Sequence, residues 1–199
     1  MTPVSPSLQI IPQSSFKAVP WKNGAGVTRE VIRVPAHSED FVWRVSVAQV
    51  DASGPFSDFA AYNRTMVLLK GTGLELRFAN GQRQVLGRIG EWLQFDGAVA
   101  THCHLLGGPC VDLNLMVAKA RTVTARVESL QASMEIPASE GPTLIFGIDA
   151  ALRLDMGGEE PRYLQPWDLA VVTNGVVRVQ RKIAASPAPA AVFIATIHH

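Results

Sequence analysis

Residues 20–31, PWKNGAGVTREV, set Trp21, Lys22, Asn23, Thr28, Arg29 and Glu30 around a Gly24-Ala25-Gly26 turn. A turn needs glycine and welcomes asparagine, but it has no use for an indole, an ammonium, a guanidinium and a carboxylate beside them. The same density of polar side chains recurs on segments that otherwise alternate as strands. In FVWRVSVAQV (41–50), Arg44 and Ser46 share a face with Val42, Ala48 and Val50. In RTMVLL, Arg64 falls with Met66 and Leu68, and in VDLNLMV, Asp112, Asn114 and Met116 stand together. After the Gly24-Ala25-Gly26 turn, strict alternation puts Thr28 and Glu30 with Ile32 and Val34, and Arg29 with Val31 and Arg33. A charge among apolar neighbours must be paired or wetted. Solvent-exposed sheet faces would supply water; so would the lumen of a barrel, which turns one face of each strand toward a cavity. Four such strands favour the lumen.

Within that set Lys22, Arg29, Arg44 and Arg64 outnumber Glu30 and Asp112, so the chemistry suits an anion, a small carboxylate held by an arginine fork. Arg44 and Arg64 are the expected clamp, and Lys22 and Asn23 the closure of the mouth. Glu30, Asp112 and Asn114 are expected to hold the basic groups in place, Phe56 and Met116 to wall the pocket, and Trp21 to stack on a planar ligand. Carboxylates beside arginines are expected to stay ionised, which suits positioning better than proton transfer. Ser46 and Ser57 complete the candidate set but lack the G-x-S-x-G setting of a hydrolase nucleophile. GAGVTR is not a phosphate loop, because no Gly-Lys-Ser/Thr follows and the next residues alternate as a strand. A metal centre is the competing enzymatic reading. His102-Cys103-His104 has the spacing for two imidazoles on one strand face, yet no glutamate follows before Gly107-Gly108-Pro109. His37 falls in a loop and His198-His199 in a tail. No metal or other cofactor is expected, and the balance favours a ligand-binding or regulatory protein over a catalyst.

The elements that must carry these residues are strands. LELRF (74–78) alternates cleanly, and turn signals stand at 51–55, Gly71-Thr72-Gly73, Asn80-Gly81 and Gly107-Gly108-Pro109. Only Thr124 to Met134 offers room for a helical turn or two. The expected class is all-β, a sandwich or barrel. Residues 74–97 can be laid on 151–175, matching Leu76 with Leu152, Phe78 with Leu154, Leu86 with Leu164 and Asp96-Gly97 with Asn174-Gly175. That faint repeat fits two stacked barrels, 1–120 with the pocket and 121–199 behind it, with segments free to swap between them. Residues 184–191 read as an extended connector, and VFIATI as a last strand or a free tail.

The chain has 199 residues, 47% hydrophobic, enough for a proper core. Its formal net charge of +1 is scattered, which argues against nucleic acid or an anionic membrane as partner. Cys103 and Cys110 read as buried reduced thiols. The amino terminus lacks an export signal and no run is long enough to span a bilayer, so a cytoplasmic protein is expected, with room for a homodimer.

PWKNGAGVTRE, FVWRVSVAQV, GPFS at 54–57, the Arg64 strand, FDG at 95–97 and GGPCVDLNLM at 107–116 together resemble the HutD/Ves family, in order from Pro20 to Met116. The resemblance implies a cupin-like double-stranded β-barrel, duplicated as a bicupin. It also implies a place in bacterial histidine utilisation, where the family binds a pathway acid such as formylglutamate or urocanate and moderates the pathway. No enzymatic activity comes with it. The alternative is a cupin-type enzyme acting on a small organic acid. Two departures stand out: Ala25 replaces the middle of three glycines, and Ala60-Ala61-Tyr62-Asn63 precedes Arg64 where the family has a Pro-Gly-acidic run.

Overall fold

Alternating sequences with β-branched and aromatic residues pair into sheets because each strand then buries one face and offers its backbone to a neighbour. The computed structural model describes residues 5–21, 24, 26–158, 160–182 and 189–198. Lys22, Asn23, Ala25 and His199, and most of the 184–191 connector, lie outside the described residues. The strands are β1 (Ser7–Ile11), β2 (Lys17–Pro20), β3 (Gly26–Val34), β4 (Trp43–Val50), β5 (Gly54–Pro55), β6 (Tyr62–Lys70), β7 (Leu74–Phe78), β8 (Arg83–Leu86), β9 (Trp92–Asp96), β10 (Thr101–Leu105) and β11 (Cys110–Ala118). They continue as β12 (Thr122–Leu130), β13 (Ser133–Ile136), β14 (Thr143–Gly147), β15 (Leu152–Asp155), β16 (Arg162–Leu164), β17 (Leu169–Thr173), β18 (Val177–Arg181) and β19 (Ala190–His198). A single 3-10 turn, Gln13–Ser15, is the one helical element among the described residues.

The chain divides into two units, Phe16–Arg121 and the segment from Thr122 onward joined by the amino-terminal residues through Ser15. That differs from a split at residue 120 in one respect: β1 pairs antiparallel with β17, Ser7 opposite Thr173 through Ile11 opposite Leu169. The segment 124–134, which had room for a helical turn or two, holds strand instead. TVTARVESL is rich in β-branched residues and pairs along its whole length with β19. VFIATI is therefore an interior strand, held between β12 and β14.

Each unit is built from two sheets. In Phe16–Arg121 a six-stranded sheet runs β2-β3-β4-β11-β6-β9 and a four-stranded sheet runs β5-β10-β7-β8. In the other unit a five-stranded sheet, β1-β17-β14-β19-β12, accompanies β13-β18-β15-β16. The two four-stranded sheets share one order, in keeping with the internal repeat. Register corrects its alignment by two residues, because Leu74 opposes Leu86 and Leu152 opposes Leu164. Leu74 is thus the counterpart of Leu152, and Leu76 that of Leu154.

The carboxy-terminal unit fills the space between its sheets with aliphatic side chains, among them Ile145, Leu152, Leu154, Val172, Val179, Val192 and Ile194. Phe16–Arg121 does so over only part of its interior, where Val50, Met66, Leu68 and Cys110 meet Leu74, Leu76, Leu86 and Cys103. Gly26 opens β3 where a side chain has no room, since a Cβ there would collide with the Gln49 carbonyl oxygen. The close approach brings the start of β3 onto β4, and the residues from Gly26 through Glu30 keep the register set there.

Candidate functional site

The rest of the interior of Phe16–Arg121 is a cavity of about 590 Å³. Its floor is the six-stranded sheet, where three rows of side chains cross the strands. Thr28, Ala48, Asp112 and Leu68 form one, and Glu30, Ser46, Asn114 and Met66 the next. Arg33, Arg44, Met116 and Arg64 form the third. Trp21, Thr28, Glu30, Arg44, Ser46, Phe56, Ser57, Arg64, Asp112, Asn114 and Met116 all line the cavity, eleven of the fourteen candidates, eight of them placed by strand alternation and Trp21, Phe56 and Ser57 lying outside the strands. Arg29 is the correction. It opposes Val47 in β4 and lies on the other face of β3 from Thr28 and Glu30, outside the lining.

Arg33 replaces it, for a reason that alternation could not reveal. The pairing of β3 with β4 shifts between Glu30 and Ile32. A bulge at this point turns the following residues over, so Arg33 joins Glu30 on the cavity side. The two then form an ion pair, Nη2 to Oε2 at 2.6 Å and Nε to the same oxygen at 3.0 Å, while Nη1 donates to the Ser38 carbonyl at 2.9 Å. Glu30 was expected to brace Arg44 or Arg64; its carboxylate is spent on Arg33 instead.

Arg44 and Arg64 are held by rings. The Arg64 guanidinium lies 5.0 Å from the Phe95 centroid, 5.2 Å from Phe56 and 5.6 Å from Phe59. Arg44 lies 5.3 Å from Phe41 and 5.4 Å from Phe59, with Nη2 3.6 Å from Met116 Sδ. Phe59 therefore faces both. Phe41 is fixed by stacking on Tyr62 at 4.1 Å and by donating its N–H to the Tyr62 hydroxyl at 3.2 Å. Aromatic faces hold a guanidinium in place without neutralising it. Among the described residues neither arginine makes an ion pair, and the Nε of each is buried without an acceptor.

Burial dominates the electrostatics. It pulls Arg64 down to about 10, with nearby Asp112 opposing the shift and Arg44 adding to it. Arg44 is lowered by burial first and by Arg33 second. Asp112, 1% exposed, is pushed up to about 7 because desolvation outweighs the attraction of Arg64. The expectation of a firmly ionised Asp112 is thereby corrected. Among the described residues neither of its oxygens has a hydrogen-bond partner, nor does Asn114 Oδ1, so these side chains do not brace the arginines by hydrogen bonds. Cys103 is pushed up to about 12, by burial and then by the charge of Asp112. At the rim, Trp21 Nε1 donates to Thr28 Oγ1 at 2.7 Å, which fixes the indole against the cavity.

Met66 and Ala48 also line the cavity and share the parity of Arg64 and Ser46, so they were legible in the sequence. Phe59 sits outside any strand, where no periodicity could flag it. His102 and His104 are exposed on β10, opposite Arg77 and Glu75, and no cluster of three potential metal ligands exists among the described residues. The arrangement presents two guanidiniums, neither in an ion pair among the described residues, to one cavity, and so can grip a carboxylate.

Two-sheet β units, one of them with an arginine-lined cavity between its sheets, define a cupin-like protein. The same fold appears in oxalate decarboxylase of Bacillus subtilis, with a TM-score of 0.66 at 7% identity over 94% of this chain and 76% of that one. The chain belongs to the HutD family, whose model matches residues 13–188. It is 33% identical over 162 residues to an uncharacterized 21.2 kDa protein in the hutC 3′ region of Pseudomonas putida, covering 81% of this chain and 84% of that protein. Two solved structures cover 97% of it and are covered whole. One is a conserved protein of unknown function from Pseudomonas aeruginosa PAO1, with 28% identity and a TM-score of 0.87. The other is HutD from Pseudomonas fluorescens SBW25, with 25% identity and a TM-score of 0.77. Among the described residues no helix is long and apolar enough to cross a membrane.

Proposed function

We propose that this protein binds a small carboxylate metabolite of histidine degradation, of the formylglutamate or urocanate type, and so moderates that pathway in the cytoplasm. Membership of a family associated with histidine utilisation supports the metabolic setting. The observation that carries the reading is the pair Arg44 and Arg64, aimed into one cavity, caged by aromatic rings and lacking any carboxylate partner among the described residues. A buried guanidinium is costly, and a carboxylate ligand accepting charge-assisted hydrogen bonds from both would offset that cost. With Arg33 neutralised by Glu30, Arg44 and Arg64 are the cations left without an ion pair among the described lining residues. The cavity volume, about 590 Å³, suits a metabolite of this size and leaves room for water.

Calorimetric titration of formylglutamate and of urocanate into the wild-type chain, Arg64→Met and Arg44→Ala tests the reading. Loss of one charge-assisted contact should weaken binding about 10- to 100-fold. Methionine at 64 keeps an apolar stem among the three rings, so the variant separates lost charge from lost packing. Equal affinity in all three proteins would remove the arginines from the site.

A further inference from the structure

A permanently ionised carboxyl has no place where Asp112 lies. The residue is 1% exposed and lines the same cavity as Arg44 and Arg64. Among the described residues neither of its oxygens has a donor, and its neighbours across the strands are Ala48 and Leu68. Buried acceptors in native proteins are almost always satisfied, and a buried charge without a partner costs more still. Ionised, Asp112 would also stand as a like charge beside any anion that the two arginines admit.

The groups around Asp112 decide when it loses its proton. Arg64, on β6, attracts the ionised form, but burial opposes ionisation more strongly and pushes the carboxyl up to about 7. Arg44, on β4, stands with Arg64 in the row that flanks Met116. From β3, Glu30 and Arg33 face the cavity as a closed ion pair. Across the cavity β10 turns in Cys103, whose thiol is pushed up to about 12. On β11 itself the neighbours are Asn114 and Cys110, the thiol of which donates to the Gly73 carbonyl at 3.2 Å. The side chains that β7, β8 and β9 turn in, Leu74, Leu76, Leu86, Leu93 and Phe95, do not titrate. The cation that draws Asp112 toward ionisation is thus Arg64, and Arg64 is half of the carboxylate clamp.

A carboxylate seated on Arg64 cancels that attraction and adds its own negative charge to the same enclosed space. Both effects raise the proton affinity of Asp112. We propose that anion capture here is proton-coupled: a carboxylate that closes onto Arg44 and Arg64 is taken up together with one proton from solvent, which Asp112 holds for as long as the ligand stays. The proposal rests on the carboxylate-binding reading above and adds regulation to it, because retention of the ligand then depends on pH as well as on ligand concentration. The proton removes the like charge and turns one oxygen of Asp112 into a donor, in a region where Asn114 Oδ1 also lacks one. The sign of the dependence follows from proton counting. At low pH the carboxyl is protonated with or without ligand, and affinity is constant. Once the free form ionises while the bound form keeps its proton, affinity falls by up to about tenfold for each further pH unit.

Formylglutamate is the probe, since its two carboxylates stay ionised from about pH 6 to about pH 8.5 and nothing else on it titrates there. It is titrated calorimetrically into full-length wild type and Asp112→Asn across that range. Near pH 7.5 the titration is repeated in HEPES and in Tris, whose different heats of ionisation count the protons exchanged. Wild type should take up about half a proton or more per ligand near pH 7.5, and should lose affinity at least about fivefold from pH 6 to pH 8.5. Asp112→Asn, neutral at every pH, should take up none and bind with one affinity throughout. Formylglutamate bound by wild type without proton uptake would overturn the coupling and leave the carboxylate reading standing. Uptake that persists in Asp112→Asn would assign the proton to another group and overturn it equally. If formylglutamate binds wild type at no pH, the carboxylate reading falls and the coupling falls with it. Asp112→Leu takes the place of the asparagine variant should that one not fold.

Discussion

Replacing Asp112 with asparagine keeps the volume of the side chain and removes its charge, which isolates the cost of ionising a carboxyl inside the cavity. In the folded chain Asp112 titrates near 7, against an ordinary value of 3.8. Each unit of such a shift corresponds to about 1.4 kcal/mol of stability, so the complete shift is worth at most about 4 kcal/mol. The sign follows from proton counting. Between the two values the folded state holds a proton that the unfolded state has released, so stability falls as pH rises from about 4 through 7 and levels off above. From about pH 5 to pH 8 this one group should cost the wild type roughly 3 kcal/mol. Asparagine mimics the protonated form at every pH. Asp112→Asn should therefore match wild type only near pH 4 and below, exceed it in stability by about 1.5 kcal/mol near pH 5, and by about 4 kcal/mol near pH 8. Urea denaturation of both proteins, without ligand, at several pH values reads the difference directly. Glu75, Glu91 and Asp96 are lowered by their hydrogen bonds and ion pairs, and their contributions are lost only toward acid, below this window. Parallel stability curves for the two proteins would refute the claim that Asp112 lies in a dry, unpartnered site.

Phe59→Ala removes the ring that faces both guanidiniums, at 5.4 Å from Arg44 and 5.6 Å from Arg64. Two cation–π contacts of about 0.5–1 kcal/mol each then vanish, and carboxylate affinity should drop about fivefold or more by calorimetry; unchanged affinity would show that Phe59 does not order the clamp. Gly97→Ala places a Cβ 2.5 Å from the Phe59 carbonyl oxygen and 2.7 Å from that of Tyr62, both backbone atoms. The turn must shift, at about 2 kcal/mol, which should lower Tm by roughly 4–8 °C in a thermal melt and leave Phe59 misplaced. A melting curve matching wild type would mean the turn has slack.

Much of this site was legible because a β-strand reports its own faces. Arg44, Ser46, Arg64, Asp112, Asn114 and Met116 lie on uninterrupted stretches of β4, β6 and β11, where period two holds and the register carries the parity from strand to strand. Reasoning of the same kind failed on β3, where one extra residue inverts the pattern and exchanges the expected company of Arg33. A bulge leaves no mark in hydrophobicity when the residues around it, Val31 and Ile32, are both apolar. Phe59 was out of reach for a different reason: its place depends on Gly97 admitting the loop carbonyl, a contact across 38 residues of chain. The ionisation of Asp112 was misjudged because sequence shows neighbours in charge and not the depth of burial, and here burial prevails. The fold itself was accessible from turns and alternation, whereas the pairing of β1 with β17 depends on a contact more than 150 residues away in sequence.

The most direct test of the account is a crystal structure of the chain grown with formylglutamate. The account predicts electron density for the ligand inside the Phe16–Arg121 unit, one carboxylate within about 3 Å of the Arg44 and Arg64 guanidinium nitrogens. A ligand seated elsewhere, or a saturated protein whose two arginines contact only water and phenylalanine, would contradict it.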